Sequence, residues 1–484
     1  MQRRKFIQQA AMAGAAMAMA KQASAGNRMA GFPTVRIPEG QRKFKSMAVE
    51  KLITEVQNNI GNKEIAWMFG NSFPNTLDTT VDFEVVNGSP DTYVITGDID
   101  AMWLRDSSAQ VWPYIPLCKE DKDLQQLVKG VINRQVKCIL KDPYANAFYK
   151  DENKVSEWKK TDDTDMKPGI HERKWEVDSL CYPIRLSYGY WKETGDTTPF
   201  DEQWLEAMKL VVKTFKEQQR FSDHGPYSFQ RNTSWATDGV PLGGYGYPVK
   251  PNGLICSMFR PSDDATIFPY LIPSNWFAAV SLEQLCRILN HNKANATLLN
   301  EASDLSGKIL VALDDVSMVH HPDYGKMFAY EVNGFGSYNL MDDANVPSLL
   351  SLPYLLITDF NNEFFYKEEV HATYLNTRKF ILSENNPFFF KGKVAEGIGG
   401  PHAGMDMIWP LSIIMRGITS TDDTEIARCL EMLQKSHAGT GFMHESFNKN
   451  DASNFTRKWF AWANTIFGEF IWKLYRERPQ LLCA

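Results

Sequence analysis

Cysteine is scarce and scattered: the seven residues Cys118, Cys138, Cys181, Cys256, Cys286, Cys429 and Cys483 form no C-x-x-C pair and no metal-like Cys/His spacing. An odd count leaves at least one thiol unpaired, so the default is a set of small buried apolar side chains. Histidine is sparse too, nine in 484 residues; His171, His402, His437 and His444 are far apart and read as packing or hydrogen-bonding residues, with no metal expected. No H-E-x-x-H helix and no G-x-S-x-G elbow occurs. Gly243-Gly244-Tyr245-Gly246 lacks the strand-to-helix context of a nucleotide-binding loop, and no other cofactor signature is present. No run approaches the roughly 18 apolar residues of a membrane span. Positive charge is also short: the net charge is -6, and -10 once the four cations of the first 25 residues are set aside. Nucleic acid is thereby excluded as a natural partner, because phosphate binding wants a basic face.

What is present begins with a leader. Arg3-Arg4-Lys5-Phe6-Ile7, a small apolar run and Ala23-Ser24-Ala25 have the form of an export signal with an A-x-A cleavage site. The paired arginines suggest the twin-arginine route, and a basic secretory start would look similar. Residues 1–25 are therefore expected to be removed, leaving 26–484 as one exported, periplasmic domain. At 43% hydrophobic and 23% charged the remainder can bury a large core. Thirteen Trp and 18 Tyr suit neutral polar ligands such as sugars, although aromatics are also ordinary core material.

Apolar spacing near 3.6 predicts a succession of helices: Met47 to Ile60, a segment around Leu124 to Ile139, Trp204 to Phe215, Phe277 to Leu289, Ala296 to Leu313, Val370 to Leu382, Ile408 to Met415, Ile426 to Leu433 and Trp459 to Leu474. A helix over Ala109 to Leu117 is also expected, after a charged loop from Gly97 to Ser108. Thr79 to Val86 and Thr92 to Thr96 read as short strands. With no fixed sequence repeat, the architecture that closes about a dozen helices into one domain is a toroid of paired helices. Polar and aromatic residues then gather in loops at one end: Gly169 to Asp178, Asn232 to Tyr247, Phe259 to Asp264, Asn333 to Pro347, Glu396 to Trp409 and His444 to Asn464.

The stretch from Phe259 to Asn275 carries the sharpest signal. Ser262 can cap a helix, with Asp263 and Asp264 in its first turn, where the dipole favours acids. On that reading the acids are merely structural. Their company is Arg260, Tyr270 and a second acid-rich, aromatic-rich block near the C-terminus. Carboxylates among aromatics are what a glycosidase needs: one acid desolvated enough to keep its proton, and a second carboxylate across the sugar.

Five blocks, TGDIDAMWLRDSSAQVWPY, HERKWEVDSLCYPIRLSY, FRPSDDATIFPYLIPSNWFA, YNLMDDANVPSLLSLPY and HESFNKNDASNFTRKWFAWANTIFGE, closely resemble glycoside hydrolase family 125, in the family's order and from about Pro38 to the C-terminus. The resemblance implies an all-α (α/α)6 barrel with short β segments in its loops. It also implies a metal-independent, inverting exo-α-1,6-mannosidase that takes mannose from the non-reducing ends of glycans such as N-glycans. By motif, the general acid falls at Asp263 or Asp264, with Asp264 preferred and Asp263 then a hydroxyl or capping partner. Glu445 is the general base. Trp103, Arg105, Asp106, Arg260, Asp342, Asp343, Asn345 and His402 would bind the sugar or brace its pocket. Arg173, Trp175, Glu176 and Asp178 read equally as pocket wall or as ion pairs holding it, and Arg457, Trp462 and Asn464 as supports for Glu445. Inversion predicts carboxyls roughly 6.5 to 9.5 Å apart. Two alternatives remain: another inverting (α/α)6 exo-glycosidase such as a glucosidase, and a glycan-binding protein without turnover.

Overall fold

The computed structural model describes residues 31–356 and 367–483, and the leader lies outside them. Fourteen helices occur among the described residues: α1 (Met47–Asn59), α2 (Lys63–Ser72), α3 (Asn75–Thr79), α4 (Leu104–Val111), α5 (Lys122–Lys141), α6 (Val177–Thr194), α7 (Glu202–Gln218), α8 (Ile272–His291), α9 (Ala296–Val316), α10 (Leu352–Leu356), α11 (Glu368–Ile381), α12 (Pro410–Ile418), α13 (Asp423–Ser436) and α14 (Ala461–Glu477). They form the (α/α)6 barrel. In the inner ring α4 packs on α6, α6 on α8, α8 on α10, α12 on α14, and α14 back on α4. Outside it, α5 packs on α6 and α7, α9 on α7 and α8, and α13 on α12.

The two rings are built differently. Outer helices are amphipathic and begin on polar caps: Asp121, Asp201, Asn295 and Asp422 each accept a backbone N–H from the first turn of α5, α7, α9 and α13. Inner helices are buried on nearly every face, and all eight residues of α4 lie in the interior. Their N-cap positions are Trp103, Glu176, Leu271, Trp409 and Phe460, none of which makes a side-chain cap. The starts of α4, α6, α8, α12 and α14 therefore lack the side-chain acceptors that quiet the outer helices, and the positive ends of their dipoles stay available to acids nearby. One continuous core runs from Ala48 to Leu482.

Nearly every helix predicted from periodicity is present with modest shifts of boundary. The strand pair is an antiparallel hairpin, Val81–Val86 with Ser89–Val94. Two expectations are corrected. The helix placed over Ala109 to Leu117 begins earlier, at Leu104, so Arg105 and Asp106 stand in its first turn, and a 3-10 turn covers Trp112–Leu117. Ser262 does not cap a helix: residues 259–264 form a tight turn, and α8 starts only at Ile272 with Pro273 in its first turn. The seven cysteines are free thiols, five of them buried, Cys286 partly so and Cys483 exposed.

Candidate active site

Every inner helix is entered from a segment rich in acids and aromatics. Asp263 and Asp264 precede α8. Their turn is closed by Arg260 N–H donating to the Asp264 carbonyl at 2.8 Å and by Asp263 N–H donating to the Arg260 carbonyl at 2.9 Å. Asp263 has φ +68°, a left-handed conformation that a short polar side chain tolerates better than most. This turn sends the two carboxyls into different surroundings. Asp264 is buried; Thr237 donates to its Oδ1 at 2.7 Å, Ser262 reaches Oδ2 at 3.4 Å, and His402 Nδ1 lies 3.9 Å from Oδ1. Burial pushes the Asp264 carboxyl up to about 7, against the pull of the Thr237 hydroxyl, and the nearby Asp343 adds to the rise. The side chain of Asp263 is 20% exposed and lies 3.4 Å from Arg105.

Arg105 is the hub of a buried acid cluster. Its guanidinium donates to Glu176 at 2.6 Å and to Asp178 at 3.3 Å, besides Asp263, and its Nε lies 3.5 Å from Asp106. Burial alone would lower its affinity for a proton, but the four carboxylates, Glu176 first, hold it firmly charged. Burial raises the carboxyls in turn: Asp106 and Asp178 each to about 6, and Glu176 well above its ordinary range, all against the pull of Arg105. Glu176 therefore favours its protonated form, while Asp106 and Asp178 are the more readily ionised members of the cluster.

Glu445, on the segment before α14, is also buried. Thr456 donates to its Oε2 at 2.9 Å and Arg457 approaches Oε1 at 3.3 Å. Burial pushes this carboxyl up, while Arg457 and Thr456 pull it down. Arg457 is itself fixed by Asp98 at 2.8 Å and Thr96 at 3.1 Å, and its charge also acts on Asp106.

These contacts close a ring. From Glu445 they run through Arg457 to Asp98; the charge of Arg457 reaches Asp106, which is joined through Arg105 to Asp263, and the adjacent Ser262 donates to Asp343 at 2.9 Å. Ala344 N–H donates to the Gly399 carbonyl at 3.0 Å, and Ile408 pairs with Phe447, two residues from Glu445. A Cβ on Gly400 would lie 3.0 Å from the Asp343 carboxylate, so the missing side chain is what lets these segments touch. The ring contains all three candidate catalytic carboxyls.

The other predicted residues divide into those facing the ring and those behind it. His402 belongs to it, 3.9 Å from Asp264 and edge-on to Trp409, whereas Trp103, immediately before α4, packs edge-on to His171 and belongs to a small separate apolar cluster. Arg260 is buried and paired to Glu331 at 2.7 Å, so it braces the acid turn from behind. Asp342 accepts the backbone N–H groups of Leu349 and Leu350 at 2.8 and 2.9 Å and organises the entry to α10. Asn345 donates to Asp343 through its backbone and its side chain. Arg173 pairs with Asp142, Trp175 donates to the Cys256 carbonyl, Asn464 bonds both ways to Met443, and Trp462 is packed in the core. Sequence reasoning missed Lys174, a wholly buried cation that donates to Asp238 at 2.7 Å and to the Asp263 carbonyl at 2.9 Å. It also missed Thr237. Neither had a signal, since a lysine in HERKWE and a threonine in a long loop read as surface. No group of three or more metal-binding side chains is assembled among the described residues.

Known proteins resemble this chain. Residues 62–472 match the family of metal-independent alpha-mannosidases, GH125. The meiotically up-regulated gene 157 protein of Schizosaccharomyces pombe is 41% identical over 468 residues, covering 93% of this chain and 90% of its own. A metal-independent alpha mannosidase of Streptococcus pneumoniae, solved in a non-productive complex with alpha-1,6-mannobiose, superposes with a TM-score of 0.83 at 38% identity, over 90% of this chain and all of its own. With barrel and sequence in agreement, this chain belongs to the GH125 family and is a metal-independent α-mannosidase.

Proposed function

We propose that the chain is an inverting exo-α-1,6-mannosidase with Asp264 as general acid and Glu445 as general base. The observation that carries this reading is the different treatment of two carboxyls on one closed ring. Asp264 sits among neutral donors and keeps its proton to about 7, whereas Glu445 is held by the guanidinium of Arg457. In the reaction Asp264 delivers its proton to the glycosidic oxygen as the C–O bond breaks, and the alcohol leaves. Glu445 takes a proton from the water that attacks the anomeric carbon from the opposite face, so mannose departs with inverted configuration. Exchange with solvent restores both groups. Trp103, Arg105, Asp106, Asp263 and His402 would grip the trapped hexose.

The mannobiose-bound Streptococcus pneumoniae relative supports the α-1,6 linkage. NMR of fresh product from α-1,6-mannobiose tests linkage, sugar and stereochemistry together: β-mannose is expected first, and α-mannose first would overturn inversion. Cleavage of a glucosidic disaccharide in preference would favour the glucosidase alternative. One observation favours a second assignment of the acid, since Asp263 is the more open of the pair. Asp264→Asn should abolish the alkaline limb of the pH profile, whereas Asp263→Asn should leave it in place; the reverse pattern exchanges their roles. Residues 26–484 would act as one exported, periplasmic domain on glycans such as N-glycans, and detection of the activity solely in the cytoplasmic fraction would contradict that placement.

A further inference from the structure

Among the large hydrophobic side chains left exposed, one group lies in loops on the acid-bearing side. Trp235 is 43% exposed, Tyr247 48%, Ile267 49%, Phe335 63% and Tyr338 46%. Isolated apolar residues at a surface are ordinary, but a group on neighbouring loops marks a contact surface. Backbone links show that they are neighbours. Trp235 stands two residues before Thr237, whose hydroxyl donates to Asp264 and whose carbonyl accepts the Ala265 N–H at 2.7 Å. Ile267 N–H and the Asn339 amide donate to the same oxygen of Glu331, the carboxylate that holds Arg260. Tyr338 pairs with Val332, and Lys250 N–H donates to the Asn333 carbonyl at 2.9 Å, which brings the Tyr247 and Phe335 loops together. Glycine permits the closest step: a Cβ on Gly334, which has φ +75°, would lie 2.6 Å from the Lys250 carbonyl.

This surface adjoins the general acid and not the base. In an inverting hydrolysis the acid stands on the leaving-group side, so the part of the substrate that is not cleaved emerges there. Aromatic rings with one wet edge suit the apolar faces of successive hexoses. We infer that Trp235, Ile267, Tyr338, Phe335 and Tyr247 form an extended platform for the sugars beyond the scissile bond. The enzyme therefore prefers oligomannosides longer than a disaccharide. This rests on the proposed reaction, because it takes the side of Asp264 as the leaving-group side.

The test is a chain-length series of linear α-1,6-mannooligosaccharides. With the parent protein kcat/KM should rise from mannobiose to mannotetraose. Trp235→Ala and Tyr338→Ala should each remove about three- to tenfold on the tetraose, the range that one aromatic contact supports, while leaving mannobiose within about twofold. Equal parent rates on both lengths, or losses on both substrates alike in correctly folded variants, would overturn the platform. A parent that leaves mannobiose intact would instead overturn the proposed reaction. Calorimetric titration of the Glu445→Gln protein with mannotetraose then reads the platform independently of turnover: tighter binding than mannobiose that is lost in the Trp235→Ala background supports it, and equal binding sinks it.

Discussion

At the scale of single residues, the central contrast is between two buried carboxyls with different neighbours. Replacing Glu445 with Gln keeps the shape and the Thr456 contact but removes the base, and kcat should fall by about 10²–10⁴ while mannobiose binding, read by calorimetry, survives. The Asp264 carboxyl must be protonated to act, and its value of about 7 sets the alkaline limb of the rate profile: activity is expected to decline as pH rises through about 7. The acid limb belongs to Glu445, which must be ionised and is raised by burial, so activity should also fall as pH drops through its displaced range. Thr237 donates to the ionised form of Asp264 and lowers its proton affinity. Thr237→Val should therefore shift the alkaline limb to higher pH without moving the acid limb. A shift in the opposite direction, or none, would mean that the hydroxyl does not reach the acid.

At the scale of elements, the barrel is organised by how its inner helices begin. Asp342 serves α10 by accepting two backbone N–H groups, both on buried residues. Asp342→Ala orphans both donors and should cost about 2–4 kcal/mol, measured by denaturant unfolding, whereas Asp342→Asn retains one acceptor and should cost roughly half as much. The outer helices were legible because one apolar stripe and one polar cap suffice to announce them. Inner helices are apolar on most faces and start without a capping side chain, so their boundaries were harder to read. The helix α6 was missed altogether: Pro183 stands inside it and reads as a breaker. Its companion α4 was read late because Trp-Leu-Arg-Asp resembles a charged loop when its partners are unknown. For Asp263 and Asp264, local propensity favoured a capped helix, but the left-handed Asp263 and the Phe259–Ala265 bridge make a turn instead. Tertiary contacts with Thr237 and Arg105 reward that turn, and both partners lie far away in sequence.

At the scale of the whole molecule, the order of the five quoted blocks made the family and its barrel legible, while the wiring between the blocks was not. Lys174 shows why: beyond the neighbouring Glu172, its partners Asp238 and the Asp263 carbonyl are brought to it only by the folded barrel. The family acts without metal, so prolonged dialysis against a strong chelator should leave kcat/KM within about 10% of the untreated value; a loss restored by adding one divalent ion would contradict this.

Closure of the ring has a consequence for how activity first arises. Gly97 bridges to Phe460, and the Ala461 N–H donates to the Thr96 carbonyl, so the first third of the chain is fastened to its last helix. Asp264 and Glu445 both precede α14, but the ring that positions them closes only once α14 is in place. A ribosome-bound chain halted anywhere before α14 should thus be inert towards mannosides, and turnover should appear abruptly, when the final turns of α14 dock, instead of accumulating as the polypeptide lengthens.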